Sequence, residues 1–208
     1  YWVGGVWAPA NYMVISGLVD KGYNKLAFDI ARNHYNNVFE VYKKTGTFWE
    51  YYAPEKAEPG FMARKDFVGW TGLPPIAVLI EYLFGIRANV QDGKMTIEVN
   101  LTDGYGLSRY PFGKDGLVSI KVKKRTSIEE KPKVTIQTNV PFELTIKWGD
   151  HQTVQQIKSG MCFENSELDF HCTELNQKAE NLAACFIAEL PQLRDMLHKD
   201  AVASFNGD

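Results

Sequence analysis

Glu50 lies in Phe48-Trp49-Glu50-Tyr51-Tyr52, a single carboxylate set among aromatic rings. A carboxyl group can take or give a proton, and its surroundings decide which. Apolar walls raise its pKa, while hydrogen bonds and nearby cations lower it, so rings around Glu50 could tune it for proton transfer. The residue sits in Lys44–Gly72, a stretch of about 28 residues between two helical patterns. Connections longer than ~12–15 residues are uncommon in compact domains, and are usually functional or disordered. This one also holds Phe61, Phe67 and Trp70, which is too aromatic for a solvated linker. A second reading stays open, a surface loop whose rings cap the core beneath. Glu55 and Glu58 beside Lys56 read as solvated charges.

Four tryptophans, Trp2, Trp7, Trp49 and Trp70, fall in the first 70 residues, each near a helix end. Indole and phenol rings offer flat apolar faces with a polar edge. Sugars offer the complement, a C–H face with hydroxyls around the rim. Ordinary core aromatics are the plainer alternative. Against it, these rings cluster with the Gly4-Gly5 pair and a lone carboxylate rather than at helical spacing.

Three helical patterns position this stretch. Pro9 suits a first turn, and Tyr12, Ile15 and Leu18, with Val14 beside them, run at helical spacing to a stop at Gly22. A second pattern starts near Asn24, carries Leu26, Ile30, His34, Val38 and Val41 on one face, and ends at Gly46. On that face His34 reads as a hydrogen-bonded core histidine rather than a ligand. Leu73, Ile76, Ala77, Leu79, Ile80, Leu83 and Phe84 predict a third helix, apolar over much of its circumference and so buried among others.

From Ala88–Gly93 onward the period changes to two. Met95, Ile97, Val99 and Leu101 alternate with polar residues, as do Val118, Ile120 and Val122, then Val134 and Ile136, then Leu144, Ile146 and Trp148. Thr153 to Ile157 is a weaker strand. Tyr110-Pro111-Phe112-Gly113 reads as a turn, and Lys121, Lys123, Lys124 and Arg125 as a solvated strand face. Beyond Glu167, Leu175, Ala179, Leu182, Ala183, Phe186 and Leu190 predict an amphipathic helix, and Pro191 could start another.

Bulk properties narrow the function. A net charge of −2 gives no electrostatic case for nucleic acid. No run of ~18 apolar residues offers a membrane span. The cysteines, Cys162, Cys172 and Cys185, have neither disulfide-framework nor zinc-site spacing. The chain starts on Tyr1 inside a dense aromatic motif, which predicts a longer polypeptide upstream and leaves the compartment unread.

Tyr-Trp-x-Gly-x-Val-Trp-x-Pro-x-Asn-Tyr (Tyr1–Tyr12), Gly-x-x-Trp-Glu-x-Tyr (Gly46–Tyr52) and Asp-Phe-x-Gly-Trp-Thr-Gly-Leu (Asp66–Leu73) stand in order. Together they resemble the α/α-barrel glycoside hydrolases of the trehalase, glucosidase I and mannosylglycerate hydrolase group. The resemblance implies that Glu50 is the general base of an inverting mechanism, and that Trp2, Trp7, Asn11, Trp49 and Trp70 wall a sugar pocket. It implies no metal and no cofactor. Many relatives carry Arg-Gly-Pro where this chain has Val3-Gly4-Gly5, so the substrate does not carry over directly. Inversion needs a second carboxyl about 6.5–9.5 Å from the first. No residue here matches the family's acid, so that group is expected upstream, and this chain alone is expected to be inactive. The tail, with Glu189-Leu190-Pro191-Gln192-Leu193-Arg194, resembles the N-terminal segment of bacterial serine acetyltransferases, which brings no active site.

The expectation is an α+β chain in three parts. Residues 1–88 form a partial α/α-barrel of helical hairpins, 89–160 a small antiparallel β-sheet domain, and 161–208 a helical tail, read either as foreign to the rest or as an ordinary terminal hairpin. Its partners would be a carbohydrate and the missing N-terminal part of the barrel, with no nucleic acid and no membrane. A non-catalytic carbohydrate-binding fragment is the rival reading, and a scaffold segment whose tail pairs with a partner helix is the third.

Overall fold

The structure is a computed structural model that describes residues 4–160 and 162–165. Trp2 and the tail expected to be helical and loosely packed, with Leu182, Phe186 and Leu193, lie outside the described residues. The chain divides into two compact units, Tyr1–Arg87 and Ala88–Asp208.

In the first unit, α1 (Ala8–Asp20) carries Pro9 in its opening turn, where a missing N–H costs nothing. Gly22, at φ 81°, turns the chain into α2 (Asn24–Thr45). Gly46 ends α2 at φ 75°, a left-handed conformation that glycine adopts without strain, and its N–H bonds Tyr42 O at 2.7 Å. The buried face of α2 carries Ala27, Phe28, Ala31, His34, Tyr35, Val38 and Val41. Leu26, expected on that face, is 50% exposed, and so is Val14 of α1 at 53%. Small Ala27 and Ala31 shift the stripe, since both α1 and the third helix pack on α2.

A single 3₁₀ turn (Trp70–Gly72) leads into α3 (Pro74–Leu83), which winds as a π-helix. Its backbone bonds skip five residues, as in Val78 N–H to Leu73 O at 2.9 Å and Phe84 N–H to Leu79 O at 2.8 Å. The wider turn moves the buried face to Pro74, Val78, Leu79, Tyr82 and Leu83. Ile76, expected to be inside on an α-helical period, is therefore 63% exposed. Tyr12 OH donates to Glu81 Oε2 at 2.6 Å and joins α1 to α3. Burial, reinforced by Glu81, pushes the Tyr12 hydroxyl well above its ordinary pKa and keeps it a donor.

The second unit holds two four-stranded sheets, in strand order β1-β2-β6-β7 and β3-β4-β5-β8. The strands are β1 (Ile86–Asn89), β2 (Lys94–Glu98), β3 (Tyr105–Phe112), β4 (Gly116–Val122), β5 (Val134–Thr138), β6 (Phe142–Trp148), β7 (His151–Ile157) and β8 (Cys162–Glu164). Alternation supplies the core, with Val118, Ile120 and Val122 on β4 and Leu144, Ile146 and Trp148 on β6 all buried. Phe112 of one sheet meets Phe142 of the other with ring centroids 5.1 Å apart.

Three expectations are corrected here. The β domain is not a single antiparallel sheet, because β2 and β6 pair in parallel from Lys94↔Glu143 to Glu98↔Lys147. The chain leaves the first sheet after β2, builds three strands of the second, and returns. Residues 110–112 are strand rather than turn. Pro111 fits because β3 is an edge strand, where a missing N–H breaks no ladder bond. A register shift between Leu107 and Tyr110, with Arg109 at φ 56°, absorbs the irregularity. Finally, the basic run is not one solvated face. Lys123 pairs with Glu164 at 2.7 Å, but Arg125 is 5% exposed and its guanidinium is spent on backbone carbonyls.

Candidate active site

Between α2 and the 3₁₀ turn the described chain has no regular helix or strand, yet it is laced together. Tyr52 and Val6 exchange both backbone bonds, at 2.8 and 3.1 Å. Ala53 N–H reaches Glu58 O, Gly60 N–H reaches Tyr51 O, and Glu50 N–H reaches Arg64 O, each at 3.0 Å. Phe67 N–H closes the set on Phe48 O at 3.0 Å. Residues 48–53 thus run between the Val6 segment and the returning arm 58–67 as an irregular three-stranded layer.

Glu50 is held by its backbone. Besides the Arg64 bond, its carbonyl accepts the indole N–H of Trp70 at 2.8 Å. The residue is 8% exposed, and its carboxylate makes no hydrogen bond or ion pair with any described residue. Around it rings from three stretches of sequence converge. Trp7 stacks on Tyr51 at 4.5 Å and 18°, Trp7 meets Trp70 at 5.9 Å, and Trp70 meets Phe67 at 4.8 Å. Trp70 is 37% exposed and presents the open side of this cluster.

Trp49 and Asn11, also expected at the site, carry side-chain bonds of their own. Trp49 donates its indole N–H to Thr45 Oγ1 at 3.1 Å and is anchored on the end of α2. Asn11 Nδ2 lies 3.0 Å from His34 Nδ1, away from the Trp7–Trp70 cluster in its bonding. Asp66, Glu55 and Glu58 are exposed, and Glu58 is paired with Lys56 at 2.8 Å. Among the described residues no group of three or more His, Cys, Asp or Glu could hold a metal ion.

The sequence reading passed over what fixes Tyr51. Its ring lies against two glycines, so that a Cβ on Gly5 would come within 2.7 Å of Tyr51 Cδ2, and one on Gly60 would overlap Cδ2 and Cε2. Its hydroxyl donates to Phe61 O. The Pro59-Gly60 pair was the available signal, since Pro-Gly marks a tight turn. With Trp7 stacked on it as well, the ring is closely confined. Gly60→Ala is therefore expected to cost about 1–3 kcal/mol, the usual range for overpacking. Denaturant unfolding followed by tryptophan fluorescence would measure it, and an unchanged midpoint would show that the ring is not confined.

His34 is the buried, hydrogen-bonded histidine that its spacing suggested, 4% exposed. Burial lowers its pKa from 6.5 to about 4. The folded form thus prefers the neutral ring, while the unfolded chain protonates near 6.5. The stabilisation is complete above pH 6.5 and is lost as pH falls toward 4. At 1.36 kcal/mol per pKa unit the loss approaches roughly 3 kcal/mol. Chemical denaturation of His34→Gln should lack this acid sensitivity, and an equal slope in both proteins would place the proton elsewhere.

The site is thus a carboxylate with no bond to any described residue, beside a half-open cluster of indole and phenol rings on a helical frame. Residues 1–80 match the model of the glycosyl hydrolase family 63 C-terminal domain. Over 83 residues the chain is 35% identical to a probable mannosyl-oligosaccharide glucosidase of Schizosaccharomyces pombe, covering 35% of this chain and 10% of that protein. Over 91 residues it is 36% identical to alpha-glucosidase 2 of Arabidopsis thaliana, covering 39% and 11%. The chain thus spans about a tenth of the length of these relatives. No solved structure matches it significantly. The matches carry the glycosidase likeness, whereas those to trehalase, mannosylglycerate hydrolase and serine acetyltransferase rest on motifs alone.

Proposed function

We propose that this chain supplies the general-base half of an inverting glycosidase that removes an α-linked glucose residue. Glu50 would take the proton from the water that attacks the anomeric carbon, while Trp7 and Trp70 face the sugar ring. Trp2 would complete the pocket, Trp49 would hold its rim to α2, and Asn11 would stand outside it on His34. The observation that carries this reading is the Glu50 carboxylate itself. The Glu50 backbone is fixed beside the aromatic cluster by Arg64 O and Trp70 Nε1, and its carboxylate has no hydrogen-bond or ion-pair partner among the described residues. A base must be held in place and uncommitted, and the fixed backbone and unbonded carboxylate of Glu50 support that role. The α-glucoside follows from the relatives, a probable mannosyl-oligosaccharide glucosidase and an alpha-glucosidase.

The acid carboxyl would come from another part of a longer polypeptide, folded with these helices into an α/α-barrel. Exposed Met13 and Val14 on α1 and Ile76 on α3 support that view, because further helices would cover them. The test is hydrolysis of an aryl α-glucoside by a polypeptide of the relatives' length that carries this chain, with the product anomer read by NMR. Release of β-glucose supports the reading, retention of configuration refutes inversion, and binding without hydrolysis favours a carbohydrate-binding module.

A further inference from the structure

A cavity of about 410 Å³ opens between α2, the start of α1 and residues 53–57. That is within the ~300–1,000 Å³ of small-molecule sites. Neither Glu50, Trp7 nor Trp70 lines it. Its apolar walls include Val38, Val41 and Tyr52, and its polar groups include Asn11, His34 and Asn37.

The bonding of these groups leaves definite valences. An amide nitrogen can only donate, so Asn11 Nδ2 gives a hydrogen to His34 Nδ1, and the proton of the neutral ring sits on Nε2. His34 Nε2 is buried and has no hydrogen-bond partner among the described residues. A buried donor without an acceptor is costly, and such groups in native proteins call for a specific explanation. Asn37 Nδ2 is committed to Asn33 O at 2.8 Å and Asn33 Oδ1 at 3.1 Å, which leaves Asn37 Oδ1 as an acceptor. Asn11 keeps one N–H and its Oδ1. The wall thus offers both donors and acceptors, and its two charged residues, Glu55 and Lys56, are of opposite sign. Lys56 is already paired with Glu58 at 2.8 Å, and Glu55 is exposed. Anions and metal ions are disfavoured, and hydroxyl groups, which both donate and accept, are matched.

We propose that this cavity is a second ligand site, taking one neutral sugar ring through Asn11, His34 and Asn37, with Val38, Val41 and Tyr52 against its C–H face. It is independent of the role given to Glu50. The test titrates the 208-residue chain with glucose and with mannose. The side-chain amides of Asn11 and Asn37 and the His34 ring are followed by NMR, with glucose 6-phosphate as the charged comparison. The expected result is millimolar binding of at least one neutral hexose, with shifts at all three groups and weaker binding of the phosphate. Asn37→Leu, at a half-buried position that tolerates the change, should weaken binding at least tenfold. His34→Phe should do the same, while Glu50→Gln leaves the affinity as it was. Absence of shifts at these groups up to about 100 mM sugar would overturn the proposal. So would binding that follows Glu50→Gln but not Asn37→Leu, or tighter binding of the phosphate. A longer polypeptide whose own residues fill the cavity would also overturn it.

Discussion

Glu50→Gln is expected to lower kcat by about 10²–10⁴-fold in a polypeptide of the relatives' length, with KM changed much less. Glutamine keeps the shape of glutamate and removes the basic oxygen. The two bonds that fix this residue, from its N–H to Arg64 O at 3.0 Å and from Trp70 Nε1 to its carbonyl at 2.8 Å, use its backbone and survive the change. The rings that would hold the sugar are untouched, so binding should persist while the attacking water loses its proton acceptor. Added azide needs no general base and should restore part of the rate. Glu55→Gln is the control, because Glu55 is exposed and away from the cluster of rings. Near-normal activity of Glu50→Gln beside an inactive Asp66→Asn would move the base to Asp66. If neither change matters, the glycosidase reading of the loop fails.

Arg125→Met should be the most damaging change in the second unit. Arg125 Nε donates to Leu101 O at 3.0 Å, Nη1 to Ile128 O at 2.8 Å and Glu130 O at 2.7 Å, and Nη2 to Val99 O at 2.7 Å. One planar fork therefore ties residues 99–101, just past β2, to residues 126–131, a segment also closed by Thr126 N–H and Oγ1 on Glu130 Oε2 at 2.8 Å each. Burial opposes the charge and lowers the pKa of Arg125, while Tyr105, Glu130 and Glu129 support the cation. Methionine fills the volume but leaves these carbonyls without donors. Hydrogen bonds to charged groups contribute about 1.5–3 kcal/mol each and are not additive, so a total near 3 kcal/mol is expected. For a domain of this size that corresponds to a Tm lower by roughly 12–24 °C. Arg125→Lys, with one compact head instead of a fork, should fall between wild type and Arg125→Met. A shift of only a degree or two in calorimetry of Arg125→Met would mean that water replaces the guanidinium without loss.

Local chemistry made much of this protein legible in one dimension. Pro9, Gly22 and Gly46 marked the helix ends because their backbone restrictions act where they stand. Alternation marked most of the strands, because side chains on a pleated ribbon must point to opposite faces. The Trp-Glu-x-Tyr run singled out Glu50 by composition alone. What composition could not carry was partnership. Nothing in the spacing of Met95 and Leu144 says that their strands lie side by side in parallel, since a period of two is the same whatever the neighbour. Arg125 looked like its lysine neighbours because the carbonyls that bury it come from residues 99, 101, 128 and 130. The third helix read as an α-helix, and a wider winding turned Ile76 outward. Trp70 and Asn11 were both placed on one pocket wall by motif. In the folded chain one bonds the carbonyl of Glu50 and the other the ring of His34, partners that the motif could not name, because a hydrogen bond selects a partner by distance and direction, which exist only once the chain has folded.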